Sequence, residues 1–252
     1  MTSVDQLRVK IFADGADFDG MLKLYANPHV RGFTTNPSLM RKAGVADYEG
    51  FARKVLKAIP DRPVSLEVFA DDFDAMERQA RAIASWGPNV NVKIPVTNTR
   101  GEFAGPLVKR LSDAGVVVNV TAIFTLDQVR RVVDALNPNT GALVSVFAGR
   151  IADTGVDPVP VMAECVSILK RKPKSELIWA SPREVLTVVQ AHEIGCHIIT
   201  VTPDMIAKFN LLGKDHERYS LETVETFYRD ASAAGYTIAT AGDAAPARVA
   251  AS

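Results

Sequence analysis

The stretch Asn89-Val90-Asn91-Val92-Lys93-Ile94-Pro95-Val96-Thr97 decides the fold. Apolar residues dominate it, and turn formers bracket it: Trp86-Gly87-Pro88 before, Asn98 after. A short apolar run between turns, rich in β-branched residues, reads as a strand buried on both faces of a parallel sheet. Lys93 sits in the middle of the run, between Val92 and Ile94. Taking an ammonium out of water is costly, so a lysine in this place calls for a reason. One reason is mundane: the side chain snorkels from an edge strand or pairs with a carboxylate. The other is chemical. An amine that sheds its proton in an apolar pocket attacks carbonyls and can form a Schiff base.

Outward from this strand the chain repeats one unit: a short Val/Ile/Phe-rich strand, a polar loop and an amphipathic helix. The strands are predicted at Val9–Asp14, Gly32–Asn36, Val64–Ala70, Val90–Val96, Val116–Phe124, Leu143–Ala148, Leu177–Ala180 and His197–Val201. The helices between them are predicted at Phe18–Tyr25, Ser38 to Ile59, Asp71–Trp86, within Glu102–Ala114, Leu126–Leu136, Val159–Lys172 and Arg183–Ile194, with a short one from Asp204. In the third of these, Phe73, Met76, Ala80 and Ile83 recur at helical spacing. Strands alternating with helices imply parallel pairing through right-handed crossovers. Eight such units in about 210 residues fit an α/β fold of the (β/α)8 TIM-barrel type better than an open doubly wound sheet. No Gly-x-Gly-x-x-Gly follows the first strand, which speaks against a dinucleotide-binding fold. The expected organisation is one domain: a barrel over about 9–212, an additional C-terminal helix over about 220–235, and a disordered Ala/Gly/Pro-rich tail over 239–252.

Composition narrows the classes of function. The 252 residues are 47% hydrophobic, enough for one sizeable core. Lys plus Arg and Asp plus Glu both number 29, so there is no basic footprint for a nucleic-acid partner. Cys165 and Cys196 lack metal-ligand spacing and fall in apolar patterns, as buried thiols in a reducing compartment do. His29, His192, His197 and His216 share no spacing, so no metal site is expected. Lys170-Arg171-Lys172-Pro173-Lys174 closes a helix, where cations complement the dipole. Asp71-Asp72 opens one and reads as capping. No signal-peptide pattern and no apolar run of about 18 residues stands out, so the expectation is a soluble cytoplasmic protein without a membrane partner.

In this fold the active site lies at the C-terminal ends of the strands. The polar residues there are Asp14; Thr34, Thr35 and Asn36; Glu67; Lys93 and Thr97; Asn119 and Thr121; Ser145 and Arg150; Ser181; and Thr200 and Thr202. Each has a plain structural use. Asp14 suits the cap of the first helix. Asn36-Pro37-Ser38 suits a turn and N-cap. Glu67 suits a buried ion pair, Thr121 a strand, and Arg150 a surface salt bridge. Scattered structural roles do not explain why they all fall on one end.

Phe33-Thr34-Thr35-Asn36-Pro37-Ser38-Leu39 and Val92-Lys93-Ile94-Pro95-Val96-Thr97 resemble two signature stretches of the transaldolase family, and Ser145-Val146-Phe147-Ala148-Gly149-Arg150-Ile151 resembles a third. The resemblance runs from about Lys10 to Phe209, and the length is similar to the compact branch that holds small transaldolases and fructose-6-phosphate aldolases. It implies a cofactor-free transfer of a dihydroxyacetone unit between sugar phosphates. Lys93 would be the Schiff-base lysine and Asp14 the proton carrier at the carbon–carbon step. Glu67 and Thr121 would hold a water that relays protons during imine formation. Asn36 and Ser145 would bind the dihydroxyacetone end, with Thr34 and Phe147 beside them. Arg150, Ser181 and Arg183 would bind the distal phosphate. In that resemblance Glu67 and Phe147 are the transaldolase residues, where Gln and Tyr mark the aldolases that release free dihydroxyacetone. Without a Tyr hydroxyl to help protonate it, the enamine should wait for an aldehyde.

One departure is visible. Ala180-Ser181-Pro182-Arg183-Glu184 closes quickly, where the family carries more residues. Arg183 aligns either as a second phosphate arginine or as a first-turn residue behind a Ser181 N-cap and Pro182 at N1. In the second case the distal group need not be a phosphate; a sulfonate, another acid or an uncharged sugar end is open. Three further readings remain: an aldolase releasing free dihydroxyacetone, another lysine-dependent aldolase, and a non-catalytic sugar-binding barrel. The C-terminal helix, with Leu221, Val224, Phe227 and Tyr228, is expected to pack on its own barrel or in a homo-oligomer.

Overall fold

Eight parallel strands close into a barrel in the computed structural model, which describes residues 3–240. They are β1 (Lys10–Asp14), β2 (Val30–Thr34), β3 (Val64–Glu67), β4 (Val90–Pro95), β5 (Val118–Ile123), β6 (Ala142–Val146), β7 (Ser175–Trp179) and β8 (Ile198–Val201). Each pairs with the next, and β1 pairs with β8 to close the ring. The helices are α1 (Phe18–Tyr25), α2 (Pro37–Lys42), α3 (Tyr48–Ala58), α4 (Phe73–Ala84), α5 (Gly105–Asp113), α6 (Leu126–Ala135), α7 (Ala148–Asp153), α8 (Pro158–Leu169), α9 (Leu186–Glu193), α10 (Pro203–Ala207) and α11 (His216–Ala233). This is the expected (β/α)8 barrel with a further C-terminal helix.

The chain divides into two compact units, Met1–Leu212 and Gly213–Ser252. The second holds α11, whose N-cap Asp215 accepts a hydrogen bond from the Arg218 amide. That cap starts the helix five residues before the first apolar position, Leu221, from which periodicity places it. The tail expected to be disordered lies, from residue 241 on, outside the described residues.

Strand alternation divides the first unit's core in two. Val90, Val92 and Ile94 of β4 point outward into the shell between sheet and helices, which carries most of the buried apolar side chains. Each such burial contributes about 1.5–3 kcal/mol relative to exposure. Phe12, Leu143, Ile178, Ala180 and Ile198 form a separate cluster. Along β1, β6 and β8 they alternate with the shell residues, which places them inside the barrel. Two residues along the strands from this apolar plug, the interior turns polar: Asp14 follows Phe12, Ser145 follows Leu143, and Thr200 follows Ile198. The plug thus seals the floor beneath a polar mouth.

Several elements depart from expectation, among them β3, which stops at Glu67 rather than Ala70. β2 begins at Val30 rather than Gly32 and ends at Thr34, because Asn36 is the N-cap of α2 and accepts from the Leu39 amide at 3.0 Å. The single helix expected from Ser38 to Ile59 is two, broken at Gly44, where φ is +70°, and restarted by the Asp47 cap. β6 stops at Val146, and Ala148–Asp153 forms a helix of its own. α9 starts at Leu186, so Ser181 and Pro182 are not its N-cap and N1. The Lys170–Lys174 run closes α8 as expected, with Lys170 as its C-cap, and also binds neighbouring elements. Arg171 pairs with Asp134 at 2.6 Å, and Lys172 and Lys174 donate to the carbonyls of Leu136 and Asn139.

Candidate active site

The strand C-termini enclose a cavity of about 450 Å³. Asp14, Thr34, Asn36, Glu67, Lys93, Thr121, Ser145, Phe147, Arg150 and Ser181 all line it, and Arg183 does not. Parallel register accounts for the convergence. Glu67 lies opposite Lys93, Lys93 opposite Asn119, and Asp14 opposite Thr34. Alternation then sends these side chains into the same interior.

Lys93 is 7% exposed. Its Nζ lies 3.0 Å from Glu67 Oε2 and donates to the Thr35 carbonyl at 2.7 Å. The pairing with a carboxylate raised from the sequence is therefore present, and it occurs inside the cavity rather than at an edge. Asp14 does not cap α1; Asp17 does, accepting from Gly20. Asp14 Oδ1 instead accepts from Thr34 Oγ1 at 2.9 Å, and Thr34 Oγ1 is 2.5 Å from Thr200 Oγ1. Since the Thr34 proton goes to Asp14, Thr200 donates to Thr34. Burial pushes the Asp14 carboxyl above the ordinary carboxylate range, against the Thr34 hydrogen bond and the Lys93 charge, which pull it down.

Ser145 Oγ donates to Asn119 Oδ1 at 2.6 Å, and Asn119 Nδ2 donates to Ser65 Oγ at 3.1 Å. The Ser145 proton is thus engaged, and the hydroxyl faces the cavity as an acceptor. At the rim, Arg150 lies 4.7 Å over the Phe147 ring, and Phe124 packs at 5.7 Å on its side. Arg150 forms no salt bridge among the described residues. Arg183 makes a bidentate pair with Asp153 at the end of α7, which turns its guanidinium away from the cavity. Gly149 explains how close α7 comes to the β7 loop. A Cβ there would lie 1.5 Å from the Ser181 carbonyl oxygen, so no larger residue fits. Its amide donates to the Ala180 carbonyl at 3.2 Å.

Two non-glycine residues among those described have positive φ, Ala122 (61°) and Ser181 (58°). Both line the cavity. Such strain costs about 1–3 kcal/mol per residue and persists where the surroundings over-determine the backbone. At Ala122 the β5–β6 register also shifts, which turns the chain just past Thr121. The sequence reading places Thr200 at the mouth without a task and singles out neither Ala122 nor the carbonyl of Thr35. Period-2 alternation was the available signal for Thr200, since it faces inward with Ile198. The Ala122 strain has no signature in the sequence. Asp72 caps α4 by accepting from Ala75, as expected, whereas Asp71 takes the amide and hydroxyl of Thr99 at 2.7 Å each and ties two mouth loops together. No grouping of three or more His, Cys, Asp or Glu side chains suited to a metal occurs among the described residues.

The profile of the family described as Transaldolase/Fructose-6-phosphate aldolase matches residues 11–242. A protein named probable transaldolase from Dehalococcoides mccartyi is 37% identical over 195 residues, 77% of this chain and 86% of that one. A probable transaldolase from Nitrosopumilus maritimus is 34% identical over 79% of this chain and 86% of that one. Probable transaldolase 2 of Listeria monocytogenes is 34% identical over 79% and 88%. A lysine-centred (β/α)8 barrel with this matched span defines the class: the chain belongs to the Transaldolase/Fructose-6-phosphate aldolase family. Among solved structures, a putative phosphonomutase from Burkholderia cenocepacia superposes with a TM-score of 0.55 at 13% identity, covering 90% of this chain and 93% of that one. KGPDC from Streptococcus mutans does so with 0.52 at 12% identity, covering 78% and 88%. At such identities these two show the shared barrel alone.

Proposed function

We propose that the protein is a Schiff-base transaldolase that moves a dihydroxyacetone unit from a ketose phosphate to an aldehyde acceptor. The observation that carries the reading is the Lys93 amine 3.0 Å from the Glu67 carboxylate inside the cavity that Asp14 also lines. Lys93 adds to the C2 carbonyl, and Glu67 with a water on Thr121 carries the protons that convert the carbinolamine to an imine and water. Asp14 takes the C4 hydroxyl proton. The C3–C4 bond breaks, its electron pair moves into the enamine, and the aldehyde leaves. The acceptor aldehyde then reverses these steps, and water releases the product from Lys93. Ser145 as an acceptor suits a donor hydroxyl, and Asn36 lines the same cavity. Arg150 and Ser181 face the distal anion, with Arg183 held outside by Asp153. The chemistry calls for no metal and no organic cofactor.

Phe147 supports transfer over cleavage, because it brings no hydroxyl to the enamine. Incubation with fructose 6-phosphate alone is expected to give less than about one equivalent of released aldehyde per site. Adding an aldose-phosphate acceptor is expected to restore turnover. Many turnovers without acceptor would instead make the protein an aldolase that releases free dihydroxyacetone. No described helix is long and apolar enough to cross a membrane, and we place the enzyme in the cytoplasm. Leu221, Val224, Phe227 and Tyr228 of α11 are each more than half exposed, at 58%, 59%, 68% and 77%. They supply a surface for homo-oligomer assembly. Light scattering is expected to give a multiple of 27.2 kDa, and a monomer at micromolar concentration would refute assembly.

A further inference from the structure

The β2–β3 ladder opens one rung early beside Lys93. Phe33 N donates to the Pro63 carbonyl at 2.9 Å and Thr35 N to the Ser65 carbonyl at 3.2 Å. In a parallel ladder the next rung would run from Glu67 N to the Thr35 carbonyl. It does not form. Glu67 N donates instead to the Tyr48 hydroxyl at 2.8 Å, and the same hydroxyl donates to the Glu67 carbonyl at 3.0 Å. The Thr35 carbonyl, released from the sheet, takes the Lys93 ammonium.

We propose that Tyr48, which belongs to the outer helices and does not line the cavity, is a positioning residue that sets Glu67 against Lys93. The proposal rests on the reading of Glu67 as a proton carrier in imine chemistry. One hydroxyl replaces a missing strand for both polar groups of the Glu67 backbone. It thereby aims the Glu67 side chain, and it leaves the Thr35 carbonyl to orient Lys93. The hydroxyl is itself fixed. Asp47 caps α3 immediately before Tyr48, and the ring is wedged edge-on between Phe69 at 4.6 Å and Trp86 at 5.7 Å. Burial holds the phenol well above its ordinary range, so it remains a donor at every working pH. The break between α2 and α3 is what lets Tyr48 lead a helix and reach the end of β3.

The test is the rate at which borohydride traps fructose 6-phosphate on Lys93, measured beside steady-state kinetics. Tyr48→Phe is expected to slow trapping and kcat by roughly tenfold while KM changes by less than about twofold. On a Glu67→Gln background the same substitution is expected to add nothing, because Tyr48 acts through Glu67. Trp86→Leu, which removes one side of the wedge and keeps the hydroxyl, is expected to lower the melting temperature and to slow trapping less than Tyr48→Phe does. Tyr48→His, with a smaller ring and a single nitrogen for the Glu67 backbone, is the second variant should Tyr48→Phe fail to fold; roughly threefold slower trapping is expected. Wild-type trapping in folded Tyr48→Phe or folded Tyr48→His, or full additivity with Glu67→Gln, overturns the role of Tyr48 alone. No adduct on wild-type Lys93 overturns the reading of the reaction, and this proposal with it.

Discussion

Lys93→Ala is expected to lower turnover by at least about 10⁴-fold and to abolish the borohydride adduct, while the barrel still folds. The size follows from chemistry. Without the amine there is no imine, hence no electron sink for the pair released when C3–C4 breaks, and no neighbouring group in the cavity can substitute. The fold survives because Lys93 faces the cavity, whereas Val92 and Ile94 beside it carry the shell packing. Removing it leaves the Glu67 carboxylate and the Thr35 carbonyl without their shared donor, and the space the side chain vacates opens onto the cavity that Lys93 and Glu67 line. Mass spectrometry of the reduced protein checks the adduct, and circular dichroism checks the fold. An adduct of unchanged yield in Lys93→Ala would sink the mechanism.

Asp14→Asn is expected to slow transfer by about 10²–10⁴-fold while the Lys93 adduct still forms, since Asp14 acts at the carbon–carbon bond rather than at the imine. It is also expected to stabilise the protein at neutral pH. Burial raises the Asp14 carboxyl above its ordinary value of 3.8, so the folded chain holds that proton more tightly than the unfolded one. Between the ordinary and the raised value, stability therefore falls as pH rises. Above the raised value the ionised, buried Asp14 costs stability in full, and below the ordinary value the cost is gone. The melting-temperature gain of Asp14→Asn should be largest at neutral pH and vanish below about pH 3.8. The acid limb of wild-type activity should lie above the usual carboxylate range for the same reason. A gain independent of pH, or transfer at the wild-type rate, would contradict this assignment.

The barrel was legible because its signals are local. Turn formers bracket each strand, β-branched residues fill it, and the alternating units permit few topologies. Boundaries failed where a side chain competes with the backbone. Asn36 and Asp47 start helices by accepting from backbone amides, and Gly44 stops one by adopting positive φ. None of these changes the hydrophobic period from which the helices are read. α7 escaped notice for a related reason: Phe147-Ala148-Gly149 continues the apolar run of β6, and only the turn at Phe147, whose carbonyl accepts from the Ile151 amide at 3.0 Å, separates the two.

The cavity divides along similar lines. Which residues reach it follows from strand register and alternation, so Asp14, Glu67, Lys93 and Ser145 could be placed from the sequence alone. How each is held could not. The Arg183–Asp153 pair spans 30 residues, the Thr34–Thr200 contact 166, and the Tyr48 clamp on Glu67 19. By itself the sequence determined the (β/α)8 barrel, the mouth that holds the polar residues, and the lysine at its centre. Burial pattern and turn chemistry are written along the chain. Only the tertiary structure decided that Arg183 turns to Asp153, that Asn119 engages the Ser145 proton, and that a tyrosine from the helix layer completes the rung beside Lys93. Hydrogen-bond partners distant in sequence are chosen by distance and direction in the closed barrel, and no local pattern encodes them.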